Sequence, residues 1–243
     1  MGKAGNPQRW QMGGLWAVKD IKKNFKWQLI IFLNFGEKSM KAIEWIFFDI
    51  GSTLADESKV YERRFKKIAE LADVSEEYVL KKAVEYCKNN QKGDLAVIKL
   101  LGVEKPVWEH QYEILYKDTE TCLKDLSKKY KIGIIANQDF GTEKRLIEFG
   151  IRKYIDVIVA SAEEGVAKPD KRIFEIALKK AGCKAENAVM IGDRIDNDIV
   201  PAKEMGMKTI WIKQGMGKYW KINNECEKAD FVIESLSELS DIL

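Results

Sequence analysis

The run Trp45-Ile46-Phe47-Phe48-Asp49-Ile50-Gly51-Ser52-Thr53-Leu54 constrains this chain more than any other stretch. Four apolar residues end at a carboxylate, and a small turn bearing hydroxyl groups follows at once. A short apolar run bounded by turn residues fits a strand buried on both faces of a parallel sheet. We therefore expect the first strand over 41–49. Asp49 then stands at its C-terminal end, where open α/β sheets gather their ligands.

From Asp56 to about Tyr116 the apolar period becomes helical. Val60, Phe65, Ile68, Leu71 and Ala72 recur at helix spacing, as do Val79, Ala83, Val84 and Cys87. Pieces at 94–101 and 106–116 complete an expected run of about four helices, with Gly93 and Gly102 as breaks. Beyond it, strands at 132–136, 154–160, 188–192, 208–213 and 230–233 alternate with helices at 142–149, 170–181, 198–205 and 235–242. Asp170 and Thr142 are the expected starts of two helices, and Gly150, Gly182 and Gly206 the stops of three. This rhythm predicts a doubly wound parallel α/β sheet carrying an all-helical insertion. The expected division is 40–54 plus 118–243 for the sheet and 55–117 for the insertion.

Residues 1–39 differ in character. They carry seven Lys/Arg against two Asp/Glu, or +5 of the total +3, which leaves −2 for 40–243. The body thus offers no electrostatic footprint for nucleic acid. A basic patch precedes Leu29-Ile30-Ile31-Phe32-Leu33, which is far shorter than the ~20 residues of a membrane span and lacks a small-residue cleavage site after it. We read Met40 as opening a self-sufficient domain and 1–39 as an extension outside the fold. No membrane contact is expected for 40–243, and the oligomeric state stays open. Cys87, Cys122, Cys183 and Cys226 form no C-x-x-C pair, so free thiols in a reducing cytoplasm are expected rather than a metal cluster or disulfides.

Polar residues mark three strand ends: Asp49, Asn137 and Asp193. Lys168 lies in the loop Gly165-Val166-Ala167-Lys168-Pro169-Asp170, and the loop after 188–192 reads Gly192-Asp193-Arg194-Ile195-Asp196-Asn197-Asp198. Carboxylates converging at one sheet edge repel and want a hard cation with oxygen ligands, most simply Mg²⁺. A lysine there balances a further anion, so the set makes a place for a phosphoryl group.

In order and spacing these four motifs resemble the haloacid dehalogenase-like hydrolase superfamily, across 41–243. The resemblance implies a Rossmann-like core with a small helical cap. It implies Asp49 as nucleophile, forming an aspartyl-phosphate that water hydrolyses. It assigns Mg²⁺ to Asp49, the Gly51 backbone region, Asp193 and Asp198, and phosphate to Lys168, Asn137 and the Gly51–Ser52 turn. Thr53 and Asn137 would steady the site by hydrogen bonds. Two departures stand out. Phosphatases of this kind carry a second Asp two positions after the nucleophile as general acid and base, and here that position is Gly51. The usual Ser/Thr of the second motif is Ala136. Loss of positioned acid–base help costs about 10²–10⁴-fold. The expected enzyme is therefore slow on poor leaving groups, or it takes its acid from Asp56, Glu109 or His110.

Other functions fit parts of the pattern. A 2-haloacid dehalogenase would use Asp49 but leave the acidic cluster without purpose. Phosphonate hydrolysis tolerates a small residue at 51 but needs a lysine such as Lys66 or Lys67 over the site. A binding or regulatory protein would keep Mg²⁺ and phosphate without turnover. Tyr61, Trp108 and Tyr112 read as packing inside the insertion, and Arg63, Arg64, Lys66 and Lys67 as a solvated helix face.

Overall fold

The computed structural model describes residues 43–243; the expectations for 1–39 fall outside them. The first strand is shorter than expected, with β1 spanning Trp45–Phe48. It lies centrally, paired in parallel with β4 (Lys131–Ala136) on one side and β6 (Ala188–Gly192) on the other. Phe48 sits level with Ile134 and Ile191 in these pairings. Outward from β4 comes β5 (Val157–Ala160); outward from β6 come β7 (Lys208–Ile212) and β8 (Phe231–Ile233). All pairings in this six-stranded sheet are parallel.

The apolar runs form strands because both faces are covered. Phe47, Ile135, Val159 and Met190 pack against Ile173, Phe174, Ala177 and Leu178 of the helix Lys171–Ala181. Asp170 caps that helix by accepting from the Arg172 N–H, and Gly182 ends it in the left-handed conformation. Gly133 is small for a visible reason: a Cβ there would stand 2.4 Å from the Phe47 ring. No described helix is long and apolar enough to cross a membrane.

Between β1 and β4 the chain builds α1 (Ser58–Ala72), α2 (Glu76–Cys87) and α3 (Gly93–Leu101) around a core of Phe65, Ile68, Ala69, Val79, Ala83 and Val97. Leu71, counted in the apolar period, is exposed. The fourth expected helix is absent. Residues 106–116 hold one 3₁₀ turn, His110–Tyr112, and the strand β3 (Ile114–Leu115), antiparallel to β2 (Ala55–Asp56). Isolated β-strands of two residues give no periodicity to read, and only the partner strand 58 residues away defines them. The insertion is therefore not wholly helical: its entry and exit are stitched together, with Tyr116 N–H and Thr119 Oγ1 both donating to the Leu54 carbonyl at 3.1 and 2.7 Å. Two further expected α-helices differ in kind. Ile195–Ile199 is a π-helical turn leading into the α-helix Val200–Glu204, and Leu236–Asp241 is 3₁₀, opened by a capping box of Ser235 and Glu238.

Candidate active site

Because β4, β1 and β6 are neighbours, the residues that follow them meet at one edge: Asn137, Asp49 and Asp193. The turn after β6 brings Asp198 back to the same place. One oxygen from each of Asp49, Asp193 and Asp198 lies within 4.8 Å of the others. Gly192 permits this approach, since a Cβ there would stand 2.3 Å from the Asp198 carboxyl.

Lys168 lies among these carboxylates, 4% exposed, with its Nζ 2.8 Å from Asp49 Oδ1 and 2.6 Å from Asp198 Oδ1. Burial works against its charge, but Asp198 and Asp49 outweigh it and hold the ammonium above its ordinary range. Asn137 fixes where the lysine begins. Its Oδ1 accepts from the Lys168 N–H at 2.7 Å and its Nδ2 donates to the Lys168 carbonyl at 2.8 Å. The amide expected to meet phosphate thus also holds the lysine main chain. The Thr53 hydroxyl, expected to steady the site by hydrogen bonding, is buried and makes no hydrogen bond among the described residues.

Asp198 accepts Lys168 on one oxygen and the Arg194 N–H, at 3.0 Å, on the other. Burial lifts its carboxyl to about 6 even with Lys168 opposing. Asp193 is different. Its main-chain carbonyl accepts from Trp211 Nε1 at 2.8 Å, but its carboxylate has no ion pair among the described residues. Burial, then Asp198 and Asp49, push it well above the usual carboxylate range. A buried carboxylate facing two others with one shared lysine is an oxygen donor set suited to a hard divalent cation.

These groups open into a cleft of about 370 Å³. Its far wall comes from the insertion: Tyr61, Arg64, Lys92, Asp94, Trp108 and His110 all line it. Arg64, read as part of a solvated face, is instead 3% exposed, with Nε 3.1 Å from Asp94 Oδ2. Tyr61 and Trp108 do pack on each other, edge to face at 5.1 Å, yet they also border the cleft. Lys66 and Lys67, the lysines a phosphonate reaction would need, border a separate groove. The three acids suggested to stand in at position 51 all have other partners, and of them only His110 lines the cleft. Asp56 Oδ1 accepts the Ser58 N–H at 2.8 Å, Glu109 forms a two-pronged ion pair with Arg63, and His110 is held between Glu113 and Asp139.

The sequence reading missed Glu57. It follows the turn directly and lines the cleft, yet is only 9% exposed. Burial pushes its carboxyl up to about 8; nearby Glu113 and Asp49 add to that, and the Ser52 hydroxyl, donating to Oε2 at 2.8 Å, opposes it. No spacing rule marks it, because its position depends on how the 50–57 turn winds.

The sequence model of haloacid dehalogenase-like hydrolases matches residues 46–212, from β1 to the end of β7. The chain belongs to this family. It is 32% identical over 228 residues, 84% of this chain and 94% of the relative, to a glyceraldehyde 3-phosphate phosphatase of Pyrococcus furiosus. A glyceraldehyde 3-phosphate phosphatase of Methanocaldococcus jannaschii is 41% identical over 114 residues, 46% of this chain and 49% of that one. Among solved structures, a phosphatase of the family from Thermococcus onnurineus superposes with a TM-score of 0.59 at 24% identity, covering 82% of this chain and 97% of that chain. The hydrolase assignment and the doubly wound fold expected from the motifs both stand.

Proposed function

We propose that this hydrolase is a Mg²⁺-dependent phosphatase of a small phosphorylated metabolite, acting through Asp49. One observation carries the reading: Lys168 bridges Asp49 and Asp198, while Asp193 faces them with no ion pair of its own among the described residues. Asp49, Asp193 and Asp198 would hold the metal, which when bound would neutralise the carboxylates and polarise the phosphoryl oxygens.

The chain's own groups then divide the work. Asp49 attacks phosphorus through the oxygen not engaged by Lys168. Lys168, fixed by Asn137, balances charge on the phosphoryl group and on the acyl phosphate. Residues 55–117 act as a cap, and the cleft they share with the sheet edge limits the substrate to a small one. The names of the two relatives above make glyceraldehyde 3-phosphate the first substrate to try.

The test is phosphate release by the full chain from glyceraldehyde 3-phosphate, acetyl phosphate and p-nitrophenyl phosphate, with Mg²⁺ and with EDTA. Turnover that disappears with EDTA and in Asp49→Asn is expected. Turnover that survives Asp49→Asn refutes the nucleophile, and none in the wild type leaves a phosphate-binding protein.

A further inference from the structure

Position 51 has no side chain, but the space of that side chain is filled. A Cβ built on Gly51 would stand 2.4 Å from Glu57 Oε1 and 2.8 Å from Glu57 Cδ. Those distances lie inside van der Waals contact, so the carboxyl group of Glu57 occupies the place where a side chain at 51 would begin. Gly51 and Glu57 thus form a complementary pair, and a side chain at one position excludes the other's conformation.

The turn explains how a residue eight positions after the nucleophile arrives there. The Ile50 carbonyl accepts the N–H groups of Thr53, Leu54 and Ala55, winding the chain into a tight loop. Ser52, at φ 54°, returns its N–H to the Ala55 carbonyl at 2.8 Å, and Gly51 bridges to Ala55. The β2 strand then delivers Glu57 alongside Gly51. Ser52 Oγ donates to Oε2, which fixes the carboxyl plane and leaves Oε1 as the atom in the vacated volume. Gly215 makes room for this arrangement, because a Cβ there would stand 2.2 Å from Ser52 Oγ.

We infer that Glu57 is a catalytic residue, the general acid and base of the phosphatase reaction, supplied from the far end of the turn in place of a residue at 51. This rests on the phosphatase reading above. In the first half, an Asp49 oxygen bonds to phosphorus as the bond from phosphorus to the leaving oxygen breaks. That oxygen keeps the electron pair and takes the proton from Glu57 Oε1, leaving as an alcohol. In the second half, the Glu57 carboxylate takes a proton from water, whose oxygen bonds to phosphorus. The bond to Asp49 breaks, its electron pair returns to the Asp49 carboxylate, and inorganic phosphate departs with Glu57 protonated again.

The experiment compares an aryl ester with an alkyl ester in wild type, Glu57→Gln, Glu57→Ala and the double variant Gly51→Asp/Glu57→Ala. The aryl ester is p-nitrophenyl phosphate. The alkyl ester is whichever of glyceraldehyde 3-phosphate, glycerol 3-phosphate and phosphoglycolate the wild type hydrolyses fastest. In Glu57→Gln, kcat/KM for the alkyl ester should fall by about 10²–10⁴-fold, the range for one positioned acid. For the aryl ester it should fall by less than a tenth as much, since a nitrophenolate departs unprotonated. The same variant should accumulate an acid-stable phosphoenzyme and release a stoichiometric burst of nitrophenol, because hydrolysis of the acyl phosphate has lost its base. An Asp at 51, with the space cleared, should restore at least tenfold of the alkyl activity lost in Glu57→Ala.

Equal losses on both esters in a folded Glu57→Gln enzyme would overturn the proposal, as would no loss on the alkyl ester or no recovery in the double variant. Absence of Asp49-dependent turnover of every ester in the wild type would sink the phosphatase reading itself, and this proposal with it.

Discussion

Asp193→Asn should stabilise the metal-free protein. The Asp193 carboxylate is buried, has no ion pair among the described residues, and lies within 4.8 Å of carboxylate oxygens of Asp49 and Asp198. At an effective dielectric of ~20, each such pair repels by roughly 3.5 kcal/mol. Arg194 offsets part of this, and protonation caps the rest: neutralising an ordinary Asp at pH 7 costs about 4 kcal/mol, so the wild type loses no more than that. An asparagine of the same shape removes the charge and retains a buried amide to desolvate, which leaves a net gain of about 2 kcal/mol. For a domain of this size that corresponds to a rise of roughly 4–8 °C in melting temperature.

The sign with pH follows from the direction of the Asp193 shift. A carboxyl raised in the folded state holds its proton more tightly there than when unfolded. Its penalty is absent below the ordinary Asp range and grows as pH rises towards the folded value. In EDTA the advantage of Asp193→Asn should therefore widen from pH 5 to pH 8. Mg²⁺ should narrow or reverse the order, because a site at 100 times its Kd adds about 2.7 kcal/mol to the form that binds it. Urea or thermal unfolding followed by circular dichroism, in EDTA and in saturating Mg²⁺, reads both effects. An Asp193→Asn protein less stable than wild type in EDTA at pH 8 would refute the reasoning. So would equal gains from Mg²⁺ in the two proteins.

Two further substitutions test the frame around the site. Gly192→Ala places a Cβ 2.3 Å from the Asp198 carboxyl; it should cost about 1–3 kcal/mol by overpacking and remove most turnover by shifting Asp198 and Lys168, seen in urea midpoint and kcat together. Arg64→Met should cost about 3–5 kcal/mol by leaving Asp94 buried without its partner, whereas Arg64→Met/Asp94→Leu should lie within about 1 kcal/mol of wild type. Unfolding free energies of the full double-mutant cycle measure this, and additive losses would count against a coupled pair.

Much of this protein is local chemistry and can be read along the chain. The strand before Asp49, the helix opened by Asp170 and closed by Gly182, and the polar ends Asn137 and Asp193 all lie in short stretches whose burial pattern or cap chemistry is self-contained. A parallel sheet carries its strand ends to one edge, which is why Asp49, Asn137 and Asp193 could be picked out together; Lys168 and Asp198 came from the order of the motifs in the loops that follow. The alternation of strand and helix likewise determined the doubly wound architecture.

What needed the third dimension is whatever depends on a partner distant in sequence or on the path of a turn. Residues 106–116 carry an apolar spacing that suits a helix, but Ile114 and Leu115 pair with Asp56 and Ala55 instead. Arg64 resembles its solvated neighbours Arg63 and Lys67 until Asp94 is brought beneath it. Asn137 read as a phosphate ligand, and its pairing with the Lys168 main chain depends on a partner 31 residues away. Gly51 read as a missing group; the fold shows an occupied volume, because the winding of residues 50–57 delivers the Glu57 carboxyl to it. Sequence spacing specifies which residues lie at a strand end, whereas the atoms that share a volume are decided by packing, and position 51 is where the two diverge.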